Sequence, residues 1–168
     1  MGLYEDFYEA IRVGDIEKVK LLFIRNRNYN TEAQMAAEYG HEGILKFITS
    51  NSVCNYNSIM PYASKGGHIH IIRLLVSLGA NNYNTAMPYA AGHNHPDIVK
   101  FLVEKGATEF QGSIELASFV GNIEMLEFLL NASKEKGIQI NIDKAISRSI
   151  YPEVSDFLKT IKQGKIKL

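Results

Sequence analysis

Three histidines recur at a constant spacing along this chain. His41, His68 and His95 lie 27 residues apart, and His70 and His93 complete two His-x-His segments. Such pairs could suggest zinc, but a zinc site needs three or four ligands that converge tetrahedrally. We favour a structural role, in which each ring of the series bonds the backbone of a neighbouring turn.

The sequence contains no recognisable catalytic constellation. It lacks a phosphate-binding loop, a Gly-x-Ser-x-Gly segment and a His-Glu-x-x-His segment, and its carboxylates are scattered over predicted helix exteriors. Its one cysteine, Cys54, excludes an internal disulfide framework. Beside Val53 it fits a small buried hydrophobe better than a nucleophile. We therefore expect no enzyme activity, no metal and no cofactor.

Composition favours an ordinary globular protein. The chain has 168 residues, of which 46% are hydrophobic and 21% charged, and its formal net charge is zero. A core of useful size is possible at this length, and no global field favours nucleic acid or membrane. No apolar run approaches a membrane span, and the N-terminus is not a signal peptide. We expect one intracellular, cytoplasmic domain over residues 1–168, which is monomeric.

A 27-residue repeat organises the chain. Residues 55–81 and 82–108 align without a gap and are identical at 13 of 27 positions. The same step reaches residues 28–54 and 109–136, and the ends fit less well, as is typical of the terminal units of a repeat array. We predict an N-terminal cap over residues 1–27, four repeats with these boundaries, and a divergent C-terminal cap with a basic tail over residues 137–168.

Each unit has the pattern of two helices joined by a turn. Apolar residues at helical spacing predict helices over residues 3–13 and 16–24, with Asp15 as the cap of the second. Further helices are predicted over residues 123–130, 142–149 and 153–161. Turn, start and end signals accompany this pattern. Turns are predicted at Gly40, Gly67, Asn94 and Gly121; helix starts at Pro61, Pro88, Pro96 and Pro152; and helix ends at Asn26, Ser52, Gly79, Gly106 and Ser133.

The repeat resembles the ankyrin repeat. The pattern begins with two small residues and Gly-His, continues with an Ile-Val pair and leucine, and ends with Gly-Ala. One instance is Gly67-His68, Ile71-Ile72, Leu74-Leu75 and Gly79-Ala80. The family's opening Thr-Pro-Leu-His is degenerate, since proline is displaced and histidine is missing. Tetratricopeptide and HEAT arrays have longer periods. The resemblance implies an all-α, ankyrin-like helix-turn-helix solenoid of about six units.

The period departs from the family period of 33 residues. The six missing residues fall where ankyrin repeats carry a β-hairpin finger, so the resemblance implies short or absent fingers. This Asn- and Tyr-rich style is similar to ankyrin proteins of amoeba-infecting giant viruses, and a viral protein would act in its host cell. Degenerate ankyrin arrays also occur in parasites and bacterial effectors.

An aromatic residue recurs at the start of four units, flanked mostly by asparagine. These residues are Tyr29, Tyr56, Tyr83 and Phe110. Regular repetition favours stacking between units, with the asparagines bonding turn backbone. The alternative is an exposed aromatic strip that binds a partner.

Positions just before each turn vary between units, and in the ankyrin family these places line a concave groove. They are Arg12-Val13, Glu38-Tyr39, Lys65-Gly66, Gly92-His93 and Phe119-Val120. We expect Tyr39 and Phe119 to anchor a partner, and Arg12, Glu38, Lys65 and His93 to add polar selectivity.

The expected function is protein binding by a non-enzymatic module, as an adaptor or competitive inhibitor. The alternative is a nucleic-acid-associated factor that uses the lysines of the tail. Those are Lys159, Lys162, Lys165 and Lys167. The missing basic face elsewhere argues against this alternative.

Overall fold

The computed structural model describes residues 3–25 and 27–165, and every regular element within these ranges is an α-helix. The helices are α1 Leu3–Val13, α2 Ile16–Leu22, α3 Asn30–Glu38, α4 Glu42–Asn51, α5 Tyr56–Gly66, α6 Ile69–Ser77, α7 Tyr83–Gly92, α8 Pro96–Glu104, α9 Phe110–Val120, α10 Ile123–Glu135, α11 Ile142–Arg148 and α12 Pro152–Lys162. The predicted all-α helical-repeat fold is confirmed. None of the described helices is long and apolar enough to cross a membrane.

The helices are distributed over two compact units. Unit 1, Met1–Asn82, contains α1 to α6, and unit 2, Tyr83–Leu168, contains α7 to α12. In each unit, small residues of one helix let the apolar stripe of the next pack closely. Unit 1 buries Ala33, Ala36, Ile44, Leu45 and Ile48, and unit 2 buries Ala86, Ala90, Ile98, Val99 and Leu102. The division of the chain into six repeat units remains a prediction.

Short polar side chains begin many of the helices. The carboxylate of Asp15 accepts a hydrogen bond from the Lys18 amide at 3.0 Å, which confirms the predicted cap of α2. The side chains of Asn55, Asn122 and Asn141 accept from backbone amides in the same way at α5, α10 and α11. Each cap satisfies an amide that has no partner within its helix.

Two predicted helix starts are wrong. Pro61 lies inside α5 and Pro88 inside α7, because these helices begin five residues earlier, at Tyr56 and Tyr83. The cap at Asn55 fixes the start of α5, and the proline then costs one internal hydrogen bond. Pro96 and Pro152 do lie in the first turn of their helices, as predicted.

A ring from the following helix pair closes three of the turns. Gly14, Gly40 and Gly121 have positive φ angles of 79°, 81° and 82°. A Cβ at these glycines would come within 2.8 Å of the rings of His41, His68 and Tyr151, respectively. The turns therefore require glycine for conformation and for space. Tyr151 takes the place that histidine has in unit 1.

The repeated asparagines hold the start of the following helix pair. The last residue of each Asn-Tyr-Asn triplet, or its counterpart Gln111, accepts hydrogen bonds from backbone amides about one repeat later. Asn30 accepts from Asn55 at 2.8 Å, Asn57 from Asn81 and Asn82 at 2.8 and 3.0 Å, Asn84 from Thr108 and Glu109 at 2.6 and 3.2 Å, and Gln111 from Asn141 at 2.8 Å. Side-chain amides thus connect the pairs where a hairpin finger would lie. The described residues contain no strand, as the finger-poor prediction expects.

Helix ends agree less well with the sequence patterns. Gly79 and Gly106 do have positive φ angles, of 98° and 101°. Ser133, however, is buried inside α10, which continues to Glu135, so its predicted role as a helix end is wrong. Leu129, Leu130 and Ala132 are buried beside Ser133, and their packing carries the helix past it. Predicted helix end Asn26 lies outside the described residues.

The end of α4 differs from the chain segments after α6 and α8, where Gly79 and Gly106 have left-handed conformations. Ser52 ends α4 in an extended conformation, with φ −147°. Val53 is then 93% exposed, whereas Ala80 and Ala107, which follow left-handed glycines, are buried. Without the left-handed turn the chain leaves the helix in another direction, so its next side chain points to solvent.

Candidate functional site

The variable residues before the turns lie at or near the C-terminal ends of α1, α3, α5, α7 and α9. We call them the pre-turn surface, described for each unit by itself. Arg12, Tyr39, His93 and Phe119 are exposed, and Glu38 and Lys65 are half-buried. Every polar or anchor residue predicted here is therefore accessible to a partner.

In unit 1 the pre-turn surface is dominated by ion pairs. Arg12 pairs with Glu9 at 2.6 Å, and Lys65 pairs with Glu38 at 2.6 Å. The hydrogen bond to Glu38 raises the pKa of Lys65. Because both pairs reach solvent, they stabilise the fold little and leave a polar surface. Tyr39, 44% exposed, is the large apolar side chain among these charges.

The backbone beneath this part of unit 1 is tightly packed. The ring of His68 donates from Nε2 to the carbonyl oxygen of Glu38 at 3.0 Å, and the His41 ring reaches the Arg12 carbonyl at 3.2 Å. Carbonyl oxygens only accept, so each Nε2 carries the proton. The predicted structural role is thus confirmed for these two histidines. A Cβ at Gly66 would collide with the Glu38 carbonyl oxygen.

In unit 2 the pre-turn surface forms an open groove between α7 and α9. The groove has a volume of about 390 Å³. Its lining is Pro88, Tyr89, Gly92, His93, Leu116 and Phe119. Tyr89, Leu116 and Phe119 are 43%, 39% and 51% exposed, respectively. Three large apolar side chains are therefore held at the surface around one depression.

Two groove residues, Tyr89 and Leu116, escaped the sequence analysis. Each precedes a predicted position by about one helical turn: Tyr89 by four residues from His93, and Leu116 by three from Phe119. Residues three or four apart share a helix face. Extending the variable positions back by one turn would have found both.

The aromatic ladder divides into buried and half-buried members. Tyr29 is 1% exposed and Phe110 is fully buried, so the alternative of an exposed aromatic strip is wrong at these two positions. The Tyr29 ring stacks on Phe23 at 4.5 Å, and its hydroxyl donates to the Ile24 carbonyl at 3.0 Å. Tyr56 and Tyr83 are half-buried, and their role in binding stays a prediction.

A part-buried ion pair beside Tyr29 was not predicted. Arg27 contacts Glu32 at 2.7 Å, and Glu32 is only 2% exposed. The guanidinium also lies 5.1 Å from the Tyr29 ring centre. Burial, together with the Glu32 carboxylate, raises the pKa of Tyr8. These contacts join α1 to α3, which indicates a structural cluster.

The remaining chemistry is sparse in the part of the chain that the structure describes. No group of three or more metal-ligating side chains occurs there. Burial raises the pKa of the Cys54 thiol, which opposes thiolate formation. Lys159 and Lys162 of the tail pair with Asp156 and Asp143 at 3.0 and 2.6 Å. Lys167 lies outside the described residues.

Comparison with protein families identified one match. A family model described as ankyrin repeats, in three copies, matches residues 7–112, which is more than half of the chain. Among curated proteins the search found no match. The matched segment runs from the middle of α1 to the start of α9.

Proposed function

Because the chain belongs to the ankyrin repeat family, whose repeats are generally protein–protein interaction modules, we propose that it binds a protein partner on its pre-turn surface. The family is typically non-enzymatic, and we propose the same for this chain. The role would be that of an adaptor or a competitive inhibitor, acting as a monomer inside the cell, in the cytoplasm.

The groove of unit 2 carries the proposal. Tyr89, Leu116 and Phe119 are large apolar side chains that remain exposed around one depression. Burial of such side chains supplies roughly 25 cal/mol per Å² of apolar area, so even partial coverage by a partner contributes several kcal/mol. A few aromatic and aliphatic anchors usually dominate an interface in this way. A rigid helical surface also loses little entropy on binding.

The proposal is tested by affinity capture from the lysate of the native cell with three baits. One is the wild type, one carries Tyr39→Ala and Phe119→Ala, and a matched control carries Leu21→Ala and Val53→Ala. The control residues are also exposed and apolar, at 82% and 93%, but lie outside the pre-turn surface. Circular dichroism and thermal melting verify that all three baits are folded.

We expect a protein that the wild type and the control retain and the surface variant loses. A partner retained equally by all three baits would place binding elsewhere, with the half-buried tyrosines or the lysine tail as the next surfaces to vary. Failure of every bait to retain a protein above background would contradict the proposal for that cell.

A further inference from the structure

The unit 2 groove restricts the chemistry of what can fill it. Apart from the ring of His93, its lining is proline, glycine and three large apolar side chains, and it includes no carboxylate and no ammonium group. Its volume of about 390 Å³ is small for a binding pocket, which typically spans roughly 300–1,000 Å³. A groove of this volume holds one or two apolar side chains of a partner segment.

The exposed charge beside the groove belongs to an arginine, the outer member of an ion pair. Arg148, at the end of α11, is 67% exposed, and its Nε lies 3.7 Å from the carboxylate of Glu115 on α9. Glu115 itself is only 19% exposed and also accepts from the Gln111 amide at 2.8 Å. The more accessible group of this pair is therefore the guanidinium.

Helix geometry places this charge next to the groove. Glu115 stands four residues before Phe119 on α9, so the two side chains are neighbours on one helix face. Leu116, the next residue, lies on the α7 side, where a Cβ at Gly92 would be 3.4 Å from its Cδ1. Phe119 is thus flanked by the apolar groove on one side and by Arg148 on the other.

On the α7 side, His93 offers an acceptor to the partner. Its Nδ1 lies 3.0 Å from the Tyr89 carbonyl oxygen, which can only accept, so Nδ1 carries the proton. In the neutral ring, Nε2 then accepts a hydrogen bond. A backbone amide of an extended segment is a suitable donor.

We infer that the groove takes an extended acidic segment, in which one large apolar side chain enters between Tyr89, Leu116 and Phe119 and a carboxylate reaches Arg148. This inference rests on the proposed function, since it specifies the partner at the same surface. A lysine or arginine beside the apolar anchor would meet the guanidinium and find no carboxylate in the groove lining. Like charges at that distance oppose binding, and opposite charges favour it.

The first step of the test is selection from a displayed library of random linear peptides. Selection uses the wild-type chain, and counter-selection uses Gly92→Leu. That substitution fills the groove without changing any charge, and position 92 lies in a helix with ordinary φ. The surviving peptides therefore depend on the groove. We expect them to combine a large apolar residue with aspartate or glutamate nearby.

The second step measures dissociation constants of selected synthetic peptides by fluorescence anisotropy. We expect Arg148→Gln to weaken binding about threefold and Arg148→Glu about tenfold, the size of an exposed ion pair and of its reversal. Replacing the peptide carboxylate by lysine should weaken binding to the wild type and restore it with Arg148→Glu. Lys105→Gln, at an exposed site beyond α8, is the matched control and should change nothing.

Three results would overturn the inference. The groove-dependent peptides could lack acidic residues, the dissociation constants of acidic peptides could be unchanged by substitution of Arg148, or no groove-dependent peptide could be selected at all. None of them touches the proposed function, which depends on whether the surface variant loses a captured protein. A partner captured through Phe119 but indifferent to Arg148 would keep that function and reject the acidic segment.

Discussion

The two units present the same repeat positions with opposite chemistry. In unit 1 the residues before the turns are engaged in ion pairs, Arg12 with Glu9 and Lys65 with Glu38. In unit 2 they surround an open apolar groove that includes Phe119. The helices and turns that carry these residues are alike, so the difference comes from side chains that the fold leaves free to vary.

The two glycines before the turns mark this difference most clearly. Gly66 of unit 1 lies against the backbone of Glu38, whereas the atoms nearest to a Cβ at Gly92 of unit 2 belong to the side chain of Leu116. One glycine is needed for packing, and the other leaves space in a groove. At the 27-residue step Gly66 aligns with His93 and Gly92 with Lys65, so the two glycines occupy neighbouring pre-turn positions. Glycine serves the fold at one of these positions and the surface at the other.

The largest expected effect separates these glycines by alanine substitution. Gly66→Ala would force a Cβ into the Glu38 carbonyl oxygen, and backbone cannot move aside as a flexible side chain can. We expect a loss of about 3 kcal/mol or more in the free energy of unfolding, measured by urea denaturation. Gly92→Ala should change it by less than about 0.5 kcal/mol, because the atoms nearest to the new methyl, on Leu116, lie at ordinary contact distance.

Equal losses at both glycines would contradict the comparison, because position 92 would then be as closely packed as position 66. A useful third variant is Gly79→Ala. Its Cβ would meet no atom within 4 Å, but its φ is 98°, so any loss there measures backbone strain without collision.

A smaller effect should be common to both units. Asn57 in unit 1 and Asn84 in unit 2 each accept hydrogen bonds from two successive backbone amides. Truncation to alanine leaves these amides to water, and we expect each variant to lose about 1–2 kcal/mol of unfolding free energy. Asn30, which holds one amide, should lose about half as much on truncation. Urea denaturation of the three variants measures this.

Peptide capture gives the matched control for the asparagine variants. A folded Asn84→Ala chain should bind as the wild type does, since Asn84 lies outside the groove lining. If the losses of unfolding free energy at Asn57 and Asn84 differ by more than about 1 kcal/mol, these asparagine side chains do not stabilise the two units equally.

The repeated features of the fold were predictable from the sequence because they obey local rules. Asp15 caps a helix, and Gly79 and Gly106 leave one in the left-handed conformation, as residue types alone indicate. Pro61 misled the prediction of a helix start, because proline is tolerated within α5 once an asparagine cap has fixed the first turn. Local residue preferences did not show whether the proline or the asparagine cap would set the start of the helix.

The candidate site was only partly predictable. The pre-turn positions were found because their residue types vary between units, and the structure leaves them accessible. Leu116 and Tyr89 were missed because a groove forms between two helices, and the sequence of one helix does not show the depth of that space. Tyr29 and Phe110 have the same residue class and spacing as their half-buried counterparts, so only tertiary packing distinguishes them.

The smallest expected effect concerns two serines at one repeat position. Ala37, Ser64, Ala91 and Ser118 follow one another at a step of 27 residues, and all are buried. In unit 2, Ser118 donates to the Ile114 carbonyl oxygen at 2.7 Å. In unit 1, the Ser64 hydroxyl has no hydrogen-bond partner among the described residues. A buried hydroxyl without a partner costs free energy, and alanine already occupies the equivalent site twice.

Ser64→Ala should therefore raise the free energy of unfolding by about 1 kcal/mol, because it removes the unpaired hydroxyl and favours the helix. Urea denaturation measures this as a higher midpoint. Ser118→Ala should lower stability by about 0.5 kcal/mol, because the bond it loses outweighs the gain in helix propensity. If the two substitutions change stability in opposite directions, the difference between the units at this position comes from hydrogen bonding. Residue type and burial are the same at both serines. If Ser64→Ala instead destabilises the chain, its hydroxyl has a partner such as bound water, and this contrast between the units disappears.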